Sequence, residues 1–354
     1  MGLERPADRA PVPRGPAHGD LLDRWLARVG RRCRPGLAVA PWSSGLGLAR
    51  TLLAAGTGAT LLVNPPAILL AVDGTRNCAG PAAAGIWCAL PAAGGQVARW
   101  IGIAVLVVVA SGWRPRWTAL PHWYVSWSVI ANLAALDGGD HITAALTLLL
   151  LPLGLTDPRR WHWQPSPSGT SIGTGRVLAH AALILIWLQV AVVYLHACIA
   201  KLGVTEWADG TAMFYWLRTP GYEPPSLLRP LTEAATSSAT GVTLFTWSVL
   251  VLEFALALAR LLPPGLRRVL LVAGLAFHIG IAVVLELVTF GFAMSGALLL
   301  YLLPVGHQVR LPVVPVARAR GTGQRTSDRT VLELTSKPVS SAASRGGPGP
   351  VSPC

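Results

Sequence analysis

The chain has 354 residues, of which 52% are hydrophobic and only 13% are charged, and this composition departs from a soluble domain toward a polytopic membrane protein. Its net charge of +13 could indicate a nucleic-acid partner. However, the arginines alternate between loops and do not form a stripe interleaved with aromatic residues. We therefore expect no nucleic acid among the partners of this protein.

Long apolar runs alternate with polar loops along the chain. Each run approaches the roughly 20 residues that a helix needs to cross a bilayer. In chain order the runs cover residues 46–63, 97–113, 122–137, 140–156, 178–201, 242–262, 267–286 and 288–304. They predict an all-α, polytopic integral membrane protein with about eight transmembrane helices.

The arginines predict the orientation of these helices. They are concentrated before the first run and then in every second loop, at residues 24–34, 114–116, 159–176, 260–268 and 310–320. Because arginine-rich loops stay in the cytoplasm, both termini are expected there, with the chain in the cell membrane and in contact with its lipid. The composition divides the chain into a disordered basic tail (1–45), a transmembrane domain (46–305) and a second disordered tail (306–354).

Two of the five cysteines, Cys78 and Cys88, fall in the external loop after the first run. A disulfide that closes this short loop is chemically permitted on that side of the membrane, and two unrelated thiols are the alternative. No spacing of cysteine and histidine resembles a closed zinc site, so no metal is expected.

The sequence LDGGDHIT at 136–143 predicts a tight external turn between the third and fourth helices, because its two glycines adopt backbone conformations that other residues resist. One interpretation is local: Asp140 caps the helix that begins near His141. The alternative is that Asp137 and Asp140 belong to the external mouth of a functional site.

Lysine is rare in this chain, where two lysines and 27 arginines make up the 29 basic residues. Lys201 lies at the external end of the fifth run, and its long stem could simply carry the ammonium into the headgroups. Alternatively, apolar surroundings favour the neutral amine, which can act as a base where arginine cannot. His196, Glu206 and Asp209 lie at a similar depth and are predicted to line the same mouth.

The sixth and seventh runs each carry an ionisable residue. Glu253 lies about ten residues before the turn that joins the two runs, and His278 lies about ten residues after the turn. At about 1.5 Å per residue, both are expected at a similar depth. A carboxylate beside a histidine could join the helices structurally or could serve a reacting group.

Two segments of the second half resemble the HTTM domain, the membrane domain shared by bacterial proteins and the vitamin K-dependent gamma-glutamyl carboxylase. They are YLHACIAKLGVTEWADGTAMFYWL and LAFHIGIAVVLELVTFGFAMSGALLLYL, with the intramembrane Glu253 between them. The first half resembles the SdpB family of antimicrobial-peptide maturation proteins. That resemblance is carried by the external cysteine pair and by PWSSGLGLARTLLA, SGWRPRWTALPHWYVSWS and LDGGDHITAALTLLLLPLGLTDPRRWHW.

The resemblance implies a catalytic role for three residues. Lys201 matches the lysine base that deprotonates reduced vitamin K in the carboxylase, His278 matches the family's histidine, and Glu253 matches its preceding acidic residue. It further implies a lipophilic quinol as co-substrate, and a small secreted peptide precursor and a small partner protein as partners. Carboxylation of a docked protein is not expected, since the large extramembrane region of the carboxylase has no counterpart in the short second tail.

Three functions are consistent with these features. The first is maturation of a secreted antimicrobial peptide through a membrane site with a lysine base. The second is a non-enzymatic membrane chaperone or export platform for the peptide precursor. The third is a transporter or immunity protein, which the sequence favours least because no inverted repeat is evident.

Overall fold

The computed structural model describes residues 34–69, 78–90, 94–134, 137–166 and 172–309, and residues Leu37–Val309 form one compact unit. Throughout the described ranges the regular structure is helical, apart from an isolated β-bridge between Trp113 and Trp161. The prediction of an all-α chain is therefore confirmed. Most of both predicted tails lies outside the described residues, as do Cys33 and Cys354.

Each predicted apolar run coincides with a helix in the described part of the chain. The main helices are α1 (Ser44–Val63), α2 (Gly94–Ser111), α3 (Pro115–Asn132), α4 (Gly138–Leu149), α5 (Thr174–Leu202), α6 (Ala239–Ala257), α7 (Pro264–Val284) and α8 (Val288–Leu302). A short helix, Leu151–Leu155, follows α4, and three more, Thr205–Ala208, Ala212–Trp216 and Arg229–Ala235, lie between α5 and α6.

Four of these helices, α1, α5, α6 and α7, are long and apolar enough to cross a membrane, and α2 and α8 are shorter apolar helices. Prolines help to set where the helices begin. Pro115 occupies the first position of α3 and Pro264 that of α7, where a missing backbone N–H costs nothing.

Helix α8 lies at the centre of the largest core and packs closely on α1. A methyl group on Gly56 of α1 would lie 3.1 Å from the carbonyl oxygen of Thr289, and one on Gly296 of α8 would lie 3.0 Å from that of Ala49. Small residues at such crossings let two helix backbones approach, and in a membrane the resulting van der Waals contact replaces the hydrophobic driving force.

Arg99 explains why one arginine interrupts the pattern of basic loops. It is buried at the start of α2, where its guanidinium donates to the carbonyl oxygens of Leu61 and Leu62, at 2.7 Å for the latter. These carbonyls belong to the last turn of α1 and have no partner within that helix. Arg99 therefore caps α1 from a neighbouring helix.

The loop after α1 is closed by a disulfide between Cys78 and Cys88, whose Cα atoms lie 5.8 Å apart. The loop packs against the helices, because Ile86 and Trp87 are buried in a second core formed with α1, α2 and α3. The Ile86 amide donates to Ser128 Oγ of α3 at 3.2 Å. The disulfide thus closes a loop that also packs on the helix bundle.

Replacing both loop cysteines by serine should lower the stability of the bundle. A loop this short limits the entropic stabilisation to about 2–3 kcal/mol, which corresponds to a melting temperature lower by about 5 °C in detergent. A reductant should produce the same shift in the unmodified protein and none in the double variant. Equal melting temperatures for the two proteins would contradict the stabilising role.

His162 lies where the segments 43–51, 111–118 and 157–164 meet. Its amide donates to the carbonyl of Gly112 at 3.0 Å, and its own carbonyl accepts from Arg159 at 2.8 Å. Arg159 is also paired with Asp157 at 2.7 Å. Burial, reinforced by the charges of Arg50 and Arg159, lowers the pKa of His162 to about 3, so the imidazole is neutral at physiological pH.

Candidate functional site

A cavity of about 960 Å³ lies among α4, α5, α6, α7, α8 and the segment between α5 and α6. Its wall is mostly apolar and includes Trp207, Met213, Phe245, Phe277 and Phe290. Polar side chains are few, and four of them are Tyr194, Lys201, Glu253 and His278. A large apolar pocket with a few convergent polar groups is the usual form of a small-molecule site.

Lys201 and Glu253 form an ion pair across α5 and α6. Lys201 Nζ lies 2.6 Å from Glu253 Oε1, and the side chains are 26% and 7% exposed. The ammonium also lies 5.4 Å from the centre of the Trp207 ring, in range for a cation–π contact. The second carboxylate oxygen, Glu253 Oε2, is buried and has no hydrogen-bond partner among the described residues.

His278 and Tyr194 form a second polar pair, across α7 and α5. The tyrosine hydroxyl lies 2.8 Å from His278 Nε2, and each residue is only 2% exposed. His278 Nδ1 is buried without a hydrogen-bond partner in the described ranges. Aromatic rings surround the imidazole, with Phe277 and Phe290 centred 5.0 and 5.6 Å from it.

Helix α5 brings the two pairs together. Tyr194 and Lys201 are seven residues apart, which places them two turns apart on one helix face, and both line the cavity. Cys198 lies between them on the same face, and its thiol donates to the carbonyl of Leu250 at 3.7 Å. One face of α5 therefore supplies the partner of both Glu253 and His278.

The predicted pairing of Glu253 with His278 is wrong, because each of the two is hydrogen-bonded to α5 instead. The difference is not one of depth. A methyl group on Gly274 of α7, one turn before His278, would lie 3.3 Å from Leu256 Cδ2 of α6, one turn after Glu253. Counting residues from the connecting turn could not give the direction of the two side chains, which both face α5.

The residues predicted for the external mouth are dispersed. His196 lines the cavity, as do Gly138 of the DGGD turn and His141 directly after it. Asp140 is buried and accepts from Thr60 Oγ1 at 3.2 Å, away from the cavity wall. Neither Glu206 nor Asp209 lines the cavity: Glu206 is exposed, and Asp209 accepts from the Thr211 amide and hydroxyl.

The prediction that Asp140 caps α4 is wrong. The cap is Asp137, whose carboxylate accepts from the amides of Gly139 at 2.7 Å and Asp140 at 3.1 Å. A capping side chain must precede the helix with an extended backbone, and Asp137 has that backbone while Asp140 lies inside the first turn. Asp137 also accepts from Thr289 Oγ1, which links α4 to α8.

The arrangement can bind the polar end of an amphiphilic molecule and move a proton. It offers an ammonium, together with a carboxylate oxygen and an imidazole nitrogen that have no partner within the described ranges, all on the wall of an apolar cavity. In the described part of the chain, no three side chains of His, Cys, Asp or Glu are grouped so that they could hold a metal ion.

No protein-family model and no solved structure matches the chain. Two proteins of Bacillus subtilis (strain 168) are similar to it. YitO is 34% identical over 280 residues, which cover 77% of this chain and 90% of YitO. The sporulation-delaying protein SdpB is 32% identical over 278 residues, which cover 77% of this chain and 84% of SdpB. Identity of this degree over most of both sequences, together with four membrane-length helices, shows that the chain is a membrane protein of the SdpB family.

Proposed function

We propose that this protein takes part in producing a secreted antimicrobial peptide from within the cell membrane. Its similarity to the sporulation-delaying protein SdpB, across 84% of that protein's length, carries the proposal. The partners are a small secreted peptide precursor and a small partner protein of the same system. The cavity beside the Lys201–Glu253 pair is the site where the bundle acts on its substrate.

The proposed topology is an HTTM-like bundle with eight crossings and both termini in the cytoplasm. Contacts between the loops that this topology assigns to the cytoplasm support it. The Gly45 amide donates to the carbonyl of His307 at 3.2 Å, so the start of α1 lies beside the end of α8. The Arg114 amide donates to the carbonyl of Arg160 at 2.7 Å, which joins two arginine-rich loops at one end of the bundle.

In the proposed mechanism Lys201 is the base and Glu253 controls its protonation. The ion pair holds Lys201 as an ammonium in the resting site. Two charged groups are costly to keep in apolar surroundings, and this cost favours transfer of the proton from Lys201 to Glu253 across the 2.6 Å contact. The transfer leaves a neutral amine on Lys201. That amine removes a proton from the bound substrate, and His278 stabilises the resulting anion.

A lipophilic quinol, the co-substrate that the carboxylase resemblance implies, is compatible with this cavity. The aromatic and aliphatic wall suits an apolar ring and tail, and the unpaired Glu253 Oε2 and His278 Nδ1 would hold its hydroxyl groups. Bound there, it would supply an acidic hydroxyl for the lysine base to deprotonate.

The test is the variant Lys201→Arg. Arginine keeps the positive charge and can pair with Glu253, but it cannot release its proton. Secreted mature peptide, measured by mass spectrometry, should fall at least about 100-fold, the typical contribution of a general base. The protein level in the membrane should stay unchanged. Undiminished peptide from this variant would rule out the lysine base.

A non-enzymatic chaperone or export platform for the peptide precursor is the second candidate. One observation favours it: in the ion pair Lys201 already has a structural function, since it links α5 to α6. This function requires the charge alone, so Lys201→Arg would then be silent. Substitutions on helix-packing faces, such as Gly296→Leu on α8, would reduce peptide output in both cases and serve as the positive control.

A further inference from the structure

Tyr194 is a buried polar residue that the resemblance to known families does not assign to the site. Its hydroxyl has one partner in the described part of the chain, His278 Nε2 at 2.8 Å. The two rings lie 6.0 Å apart between centres, at an angle of 47°. Because His278 Nδ1 has no hydrogen-bond partner among the described residues, the contact fixes the imidazole from one side only.

Counting donors and acceptors assigns the proton in this contact. A charged imidazole at this depth, with no carboxylate paired to it among the described residues, would be costly, so the ring carries one proton. If the Tyr194 hydroxyl donates to Nε2, the only unpaired donor left is the N–H at Nδ1. If Nε2–H donates instead, the tyrosine hydroxyl proton and Nδ1 both stay unpaired. The first arrangement leaves fewer unpaired groups and is favoured.

We propose that Tyr194 is a positioning residue for His278, which it holds in the tautomer that carries its proton on Nδ1. The ring then has one free hydrogen-bonding group, a donor, available to an acceptor oxygen on a bound substrate. Because the proton of Tyr194 is committed to Nε2, the imidazole cannot turn over to present its acceptor nitrogen. That this donor serves peptide production rests on the function proposed above.

Tautomers are measured directly by solid-state NMR on the full-length protein in lipid bilayers with ring-¹⁵N histidine. The chain has eight histidines, and a His278→Gln variant identifies the His278 signals as those it removes. We expect the resonances of a ring protonated at Nδ1 and bare at Nε2. In Tyr194→Phe the Nε2 acceptor loses its donor, and we expect the proton to redistribute toward Nε2.

Tyr301→Phe is the matched control. Tyr301 is equally buried and lies in the same bundle, but its hydroxyl donates to the carbonyl of Ala257 at 3.0 Å and not to a histidine. Tyr301→Phe should leave the His278 resonances unchanged, and it should lower the melting temperature about as much as Tyr194→Phe does. His278 protonated at Nε2 in the unmodified protein, or resonances unaltered by Tyr194→Phe, would overturn the inference.

Peptide output separates this inference from the proposed function. We expect Tyr194→Phe to lower secreted peptide about tenfold, the usual scale for losing an orienting partner, and Tyr301→Phe to leave it near normal. A changed tautomer with unchanged output would uphold the positioning of the ring and count against the role of His278 in peptide production. An unchanged tautomer overturns the inference whatever the output.

Discussion

Gly112→Ala is expected to reduce strongly the amount of protein that accumulates in folded form. Gly112 has a backbone φ of +88°, and a methyl group there would lie 2.4 Å from His162 Cδ2 and 2.8 Å from Trp163 Nε1. The backbone conformation alone costs an ordinary residue about 1–2 kcal/mol, and overpacking adds about 1–3 kcal/mol. Their sum is a large part of the 5–15 kcal/mol by which proteins are stable.

The amount of monodisperse protein after detergent extraction measures this effect. Gly265→Ala is the control, because a methyl group at Gly265 meets nothing within 4 Å and the backbone there has no positive φ. We expect normal accumulation of Gly265→Ala and at least about tenfold less of Gly112→Ala. Normal accumulation of Gly112→Ala would show that the contact between segments 111–118 and 157–164 can rearrange at little cost and is not needed for folding.

A second glycine isolates the contribution of the histidine ring. A methyl group on Gly47 of α1 would lie 2.7 Å from the same His162 atom, but Gly47 has an ordinary helical backbone. Removing the ring with His162→Ala should therefore relieve most of the clash in Gly47→Ala and leave only the 3.1 Å approach to the Cβ atom that alanine keeps. The double variant should melt close to His162→Ala alone. Gly112→Ala should remain less stable than His162→Ala even without the ring, because its backbone strain persists.

The helices could be predicted from the sequence because membrane length and apolarity are local properties. A helix coincides with each predicted run, and two of the arginine-rich loops, at Arg114 and Arg160, are in contact. Lys201 could also be predicted as a candidate site residue, because lysine is rare in this arginine-rich chain. Spacing along α5 could equally have indicated Tyr194, because it lies seven residues before Lys201, on the same helix face.

The partners of these residues could not be predicted, because pairing depends on which neighbouring helix each helix face meets. Glu253 of α6 and His278 of α7 both face α5 and not each other, and the sequence of α6 and α7 alone does not indicate that third helix. The DGGD turn is ambiguous for a local reason. Either aspartate is a good cap, and only the start of α4 at Gly138 selects Asp137.

Replacing either residue of the Lys201–Glu253 pair alone should lower the stability of the protein, and the loss should be larger for Lys201 than for Glu253. Lys201→Met leaves a carboxylate that is 7% exposed and has lost the one hydrogen-bonding partner it has among the described residues, and this should cost about 3–5 kcal/mol. Glu253→Gln keeps an oxygen for the ammonium, and the lysine is 26% exposed and can reach toward water. Glu253→Gln should therefore lower the free energy of unfolding by only about 1–2 kcal/mol.

The double variant Lys201→Met/Glu253→Met separates structure from chemistry. With both charges removed, the site is apolar and of similar volume, so the melting temperature should return close to that of the unmodified protein. If the pair performs proton transfer, peptide output should stay at least about 100-fold low despite this recovery. A platform that needs the pair only to join α5 to α6 should regain its output together with its stability. Recovery of melting temperature and peptide together would therefore exclude the lysine base, whereas stable but inactive protein would locate the chemistry at this pair.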